Sequence, residues 1–144
     1  SRGLGDVYKR QFWDILSTLR EHGITILVAT SYMDEATRCE RIAMINNGRI
    51  LAVDTPTALV ENLDERLYNA VASDMFGLLT RLKTMSGMID CYTFGATLHL
   101  VTDDRFSVDE AVSSLRRDGL SDVKIYPAKG TIEDLFIKQI RDGK

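Results

Sequence analysis

Residues 24–30, Ile-Thr-Ile-Leu-Val-Ala-Thr, form an apolar run that no charged residue interrupts. Seven residues are too few for a lone helix, and branching at Cβ favours pleated backbone. The run has no polar face to give to water. It reads as a strand buried on both sides, the kind found inside a parallel sheet. That expectation places the chain in the α/β class and requires a partner strand beside it. Upstream, Phe12, Ile15, Leu16 and Leu19 recur at i, i+3, i+4 and i+7, the stripe of an amphipathic helix. His22 and Gly23 suit its end, because glycine follows helices readily and a histidine there faces the negative pole of the dipole. Residues 1–11 show no clear periodicity.

After the run, a short polar helix is expected over about 33–39. Arg41–Ile45 and Arg49–Val53 flank Asn46-Asn47-Gly48. Asn-Gly fits a type I′ turn, whose two central residues need positive φ, so a hairpin follows. Thr55-Pro56 supplies an N-cap and a proline at the first helical position, starting a helix to about Leu63. Asn62-Leu63-Asp64-Glu65 is a polar break and a domain boundary.

Beyond it the pattern predicts a strand over 67–73 and a helix carrying Met75, Leu78, Leu79, Leu82 and Met85, stopped at Ser86-Gly87. Strands over 89–94 and 97–102 follow. Ser107 caps a helix with Val108, Ala111, Val112 and Leu115 inward, closed by Gly119. A strand over 123–126 precedes a last helix, capped by Thr131 with Asp134 three residues on, a capping-box spacing. The order β-α-β-β-α-β plus a helix is the ferredoxin-like arrangement.

Composition removes several classes. Hydrophobic residues are 44% and charged residues 27%, an ordinary globular balance. With 18 basic and 21 acidic side chains the net charge is -3, which excludes a generally basic nucleic-acid surface. No stretch reaches the roughly 18–20 apolar residues of a membrane helix, and the start has no apolar signal-peptide core. Cys39 and Cys91 lie far apart, outside any metal-ligand spacing, and read as small hydrophobes in a reducing compartment.

The sequence holds no G-x-x-x-x-G-K-[ST] phosphate loop, and Gly3-x-Gly5 is no dinucleotide fingerprint. His22 and His99 have no histidine or carboxylate at ligand spacing and read as structural. Asp34-Glu35, Asp103-Asp104 and Arg116-Arg117 read as a helix start, a solvated loop and a solvated helix face.

One segment stands out: Thr30-Ser31-Tyr32-Met33-Asp34-Glu35-Ala36, followed by Gly48-Arg49-Ile50 and Thr55-Pro56. From Phe12 to Leu63 it resembles the end of an ABC-transporter ATP-binding domain. There the last buried strand runs into a threonine-histidine pair, then an aromatic-Met-acidic-Glu-Ala helix. The remainder, ending in Thr131-Ile132-Glu133-Asp134-Leu135-Phe136, resembles the accessory domain of drug-exporter and ABC-2-type ATP-binding subunits. The resemblance implies the C-terminal part of a P-loop NTPase sheet (12–63) followed by a ferredoxin-like α+β domain (64–144).

It also implies Mg-ATP as cofactor of the intact protein, and as partners a membrane-spanning permease and a second ATP-binding subunit. The expected location is cytoplasmic, peripheral on the inner face of the cell membrane. At the family's switch-histidine position, near the γ-phosphate, this chain carries Ser31. Serine is shorter and carries no imidazolium, and phosphoryl transfer depends on positioning and electrostatics, so a slow site is expected. The plain alternative is that Ser31 only caps the next helix.

The family's Asp-Glu pair should precede Phe12, and Ser1–Gln11 does not contain it. Those residues look like translated sequencing adapter, a non-native leader. The implied piece lacks the phosphate loop, signature loop and Walker B carboxylates, so it should neither bind nor hydrolyse ATP well alone.

Two other classes compete. The ferredoxin-like half could be a regulatory or interaction module. RNA binding is disfavoured, because Thr97–Val101 carries no aromatic and residues 65–144 balance 11 basic against 12 acidic side chains. Otherwise the chain is a partly misfolded remnant whose 24–30 strand exposes its edges.

Overall fold

The computed structural model describes residues 2–143. The chain divides into two compact units, one up to Tyr32 and one from Met33 onward.

In the first unit, helix α1 spans Arg2–Glu21. It begins ten residues before the predicted start. Leu4 and Tyr8 continue the i, i+4 stripe of Phe12, Ile15 and Leu19 backwards, so residues without clear periodicity of their own extend the same face. Ser1 lies outside the described residues. The end is a Schellman cap: Gly23 at φ +84 donates to the Arg20 carbonyl, and Ile24 to that of Leu19.

The expected strand over 24–30 does not form. Its residues are irregular coil, with Ile24 half exposed and Leu27 98% exposed. A strand is held by hydrogen bonds to a neighbour, and among the described residues no strand pairs with this segment. Composition alone does not make a strand.

The second unit begins with α2 (Met33–Ala36), shorter than expected, then β1 (Ile42–Asn46) and β2 (Arg49–Asp54). These pair antiparallel around Asn47 (φ 49) and Gly48 (φ 73), the two positive angles a type I′ turn needs. A bulge lies between Met44 and Ile45. Helix α3 (Pro56–Glu61) is capped by Thr55, whose side chain accepts from the Ala58 amide at 3.2 Å.

Next come β3 (Arg66–Val71), α4 (Met75–Leu82), β4 (Met88–Phe94), β5 (Thr97–Thr102), α5 (Val108–Arg117), β6 (Lys124–Pro127) and α6 (Ile132–Asp142). The four strands form one antiparallel sheet in the order β4-β5-β3-β6.

Among the described residues two apolar cores result. The larger gathers Leu78 and Leu82 of α4, Ala111 and Leu115 of α5, and Ala70, Cys91, Leu98 and Leu100 from the sheet. The smaller joins Ile42 and Met44 of β1, Leu59 of α3, and Ile132 and Leu135 of α6. The last helix in sequence thus closes the hairpin's core. Among the described residues no helix is long and apolar enough to cross a membrane.

Candidate functional site

The segment singled out from sequence begins where the coil of residues 24–30 ends. Thr30 bends the chain: its Oγ1 accepts the Tyr32 amide at 3.0 Å. Ser31 follows it and is exposed. Within the same unit, Lys9 Nζ sits 4.5 Å from the centre of the Tyr32 ring, a cation–π contact. In the second unit, Asp34 and Glu35 occupy the first turn of α2, where carboxylates complement the helix dipole. Ser31 therefore stands as a solvated hydroxyl at a bend. It can make a hydrogen bond and brings no charge of its own.

These residues do not by themselves fit a magnesium nucleotide. The sequence has no phosphate loop. Among the described residues no group of three His, Cys, Asp or Glu side chains is placed to hold a metal ion.

The remaining candidates sit as structural groups. His22 Nδ1 donates to the Thr18 carbonyl at 2.8 Å at the end of α1. Asp103 holds Arg105 at 2.7 Å and Asp104 meets Arg66 at 3.0 Å, both on the surface. Arg105 keeps the Asp103 carboxyl below its usual range. Burial pushes the Cys91 thiol up to about 11.

His99 departs from the sequence reading. It does have a carboxylate partner: Nδ1 lies 2.6 Å from Asp134 Oδ1, from a residue 35 positions away. Spacing along the chain cannot reveal a pair that β5 and α6 bring together. Asp134 is fully buried and also accepts the Tyr92 hydroxyl at 2.6 Å. Its Oδ2 takes the Thr131 amide and hydroxyl at 2.8 Å each, completing the capping box anticipated from sequence. His99 stacks on Phe94 with ring centres 3.9 Å apart.

Burial foremost, and then the bond to Asp134, raises the Tyr92 hydroxyl well above its ordinary range. Seven residues after Asp134, on the same stripe of α6, Arg141 binds Glu65 and, at 3.2 Å, Asp90. Glu65 Oε2 is buried without a partner, and desolvation raises this carboxyl despite the opposing pull of Arg141. The periodicity of residues 134–141 marks a helix face but not what that face meets.

No family model matches the chain. Curated proteins do. The probable multidrug ABC transporter ATP-binding protein YbhF of Escherichia coli is 27% identical over 138 residues, covering 94% of this chain and 23% of the relative. The Nod factor export ATP-binding protein I of Mesorhizobium japonicum is 28% identical over 138 residues, again 94% of this chain and 38% of the relative. The chain belongs to the ABC-transporter ATP-binding proteins.

A fluoroquinolones export ATP-binding protein of Mycobacterium tuberculosis is 35% identical over 98 residues, 67% of this chain and 33% of the relative. This ABC-transporter chain thus spans about a quarter to two fifths of the length of the curated relatives it matches. Its α/β architecture with antiparallel sheets is compatible with one part of such a protein.

Proposed function

We propose that this chain serves in the ATP-binding subunit of an ABC exporter, which couples binding and hydrolysis of Mg-ATP to transport through a membrane-spanning permease. The observation that carries this is the match of export ATP-binding proteins across 94% of the chain. A second ATP-binding subunit would complete the nucleotide sites, and the assembly would sit on the cytoplasmic face of the membrane. Within it, residues 12–63 would be the end of the ATP-binding domain and residues 64–144 a ferredoxin-like accessory domain. The element order β-α-β-β-α-β and the strand order β4-β5-β3-β6, in which the first and third strands of residues 64–144 (β3 and β5) are central, support that assignment.

Ser31 would occupy the switch position beside the γ-phosphate. A serine there offers one short hydroxyl in place of an imidazole, so turnover would be slow. Full-length protein carrying this sequence is the material for the test. Its ATPase rate should rise about 10²-fold or more in Ser31→His, the lower end of what one positioned group contributes. An unchanged rate with intact nucleotide binding would show that serine does not limit turnover.

A further inference from the structure

Helix α6 has two different sides. Ile132, Leu135 and Phe136 pack into the hairpin core with Ile42, Met44 and Leu59. Asp134 and Arg141, on the neighbouring stripe, reach the four-stranded sheet: Asp134 to Tyr92 on β4 and His99 on β5, Arg141 to Asp90 on β4 and to Glu65 just before β3. The side toward the hairpin is held by apolar packing, which yields gradually. Toward the sheet, α6 is held by directional bonds to a carboxylate with no solvent exposure. Such a group is costly to leave unpaired, so those bonds are made together or lost together.

We propose that α6 is a strap tying the hairpin core to the four-stranded sheet, with the Tyr92–Asp134–His99 cluster as its catch. When the catch opens, α6 stays on the hairpin core and both leave the sheet as one body. The larger core is built without α6 and the smaller one moves with it, so parting bares only the sheet face of His99, where Leu67 and Val101 are also buried. The fold therefore contains a joint inside its second unit, fixed by buried hydrogen bonds that set one geometry.

The test alters the sheet side, so that the capping box between Thr131 and Asp134 remains. Spin labels go on Arg49→Cys in β2 and Thr80→Cys in α4, both exposed positions, in a Cys39→Ser background. Distances between them are read by pulsed electron resonance. The parent should give one narrow distribution. Tyr92→Phe/His99→Leu should widen it about twofold or more, as expected of bodies that part, with circular dichroism unchanged. An unchanged width in that folded double variant would overturn the proposal. If the double variant fails to fold, Tyr92→Phe alone decides: widening supports the catch, and an unchanged width overturns it.

Discussion

Residues 24–30 and strand β5 (Thr97–Thr102) make an instructive pair. Ile-Thr-Ile-Leu-Val-Ala-Thr is the more apolar, yet it is coil with Leu27 98% exposed. Thr-Leu-His-Leu-Val-Thr carries a histidine and is the best buried strand of the molecule, with Leu100 at 0%. The difference is the ladder. β5 has β3 on one side and β4 on the other. Residues 24–30 have no strand beside them among those described. Backbone groups need partners before side chains can be buried, so the neighbour, not the local hydrophobicity, decides whether a β-prone run becomes a strand.

The largest effect expected from this contrast is in paired truncations. Leu100→Ala removes a fully buried side chain from the larger core and should cost about 2–5 kcal/mol. Leu27→Ala should stay within about 0.5 kcal/mol, as for other exposed sites. Urea unfolding followed by circular dichroism reads both. A loss above about 1 kcal/mol for Leu27→Ala would mean that the run is packed after all and would break the comparison.

A second contrast lies between the cysteines. Cys91 points into the larger core from β4, and its thiol is raised from 9.0 to about 11, chiefly by desolvation. Cys39 lies in the irregular stretch after α2 and is only partly covered. In the unfolded chain the Cys91 thiol ionises first, so stability held below pH 9 is lost as pH climbs toward 11. Cys91→Val should flatten that part of the stability–pH profile. Equal slopes in parent and Cys91→Val would show that the thiol is not protected as the fold implies.

Local chemistry was legible wherever its partner lies close in sequence. The Asn47-Gly48 turn, the caps at Thr55, Ser107 and Thr131, and the stops at Gly23 and Gly119 all form as their residues require. The run at 24–30 has the composition of a strand and is coil, because strand formation depends on residues far away. The partners of His99 and Arg141 were invisible for the same reason: 35 positions separate His99 from Asp134 and 76 separate Glu65 from Arg141. Ser31 stood out only through the resemblance of its surroundings to a family, since a lone exposed serine has no physical signature of its own.

The smallest expected effect gives the cleanest form of the comparison, because it holds local structure constant. Helices α1 and α5 end in the same Schellman cap. Gly23 (φ +84) is followed by Ile24 bonded back to Leu19, and Gly119 (φ +97) by Leu120 bonded back to Leu115. In α5 the two flanking leucines are buried, at 0% and 6% for Leu115 and Leu120; in α1, Leu19 and Ile24 are exposed, at 38% and 49%. A Cβ at either glycine meets nothing within 4 Å, so alanine would bring only the strain of a left-handed backbone. That strain is about 1–2 kcal/mol at either site. Gly119→Ala should lower global stability by about 1 kcal/mol, because its cap carries Leu120 into the core. Gly23→Ala should loosen the end of α1 and leave the unfolding midpoint within about 0.5 kcal/mol of the parent. Equal losses at the two glycines would mean that α1 unfolds together with the core, and that residues 24–30, though outside any ladder, are held by it.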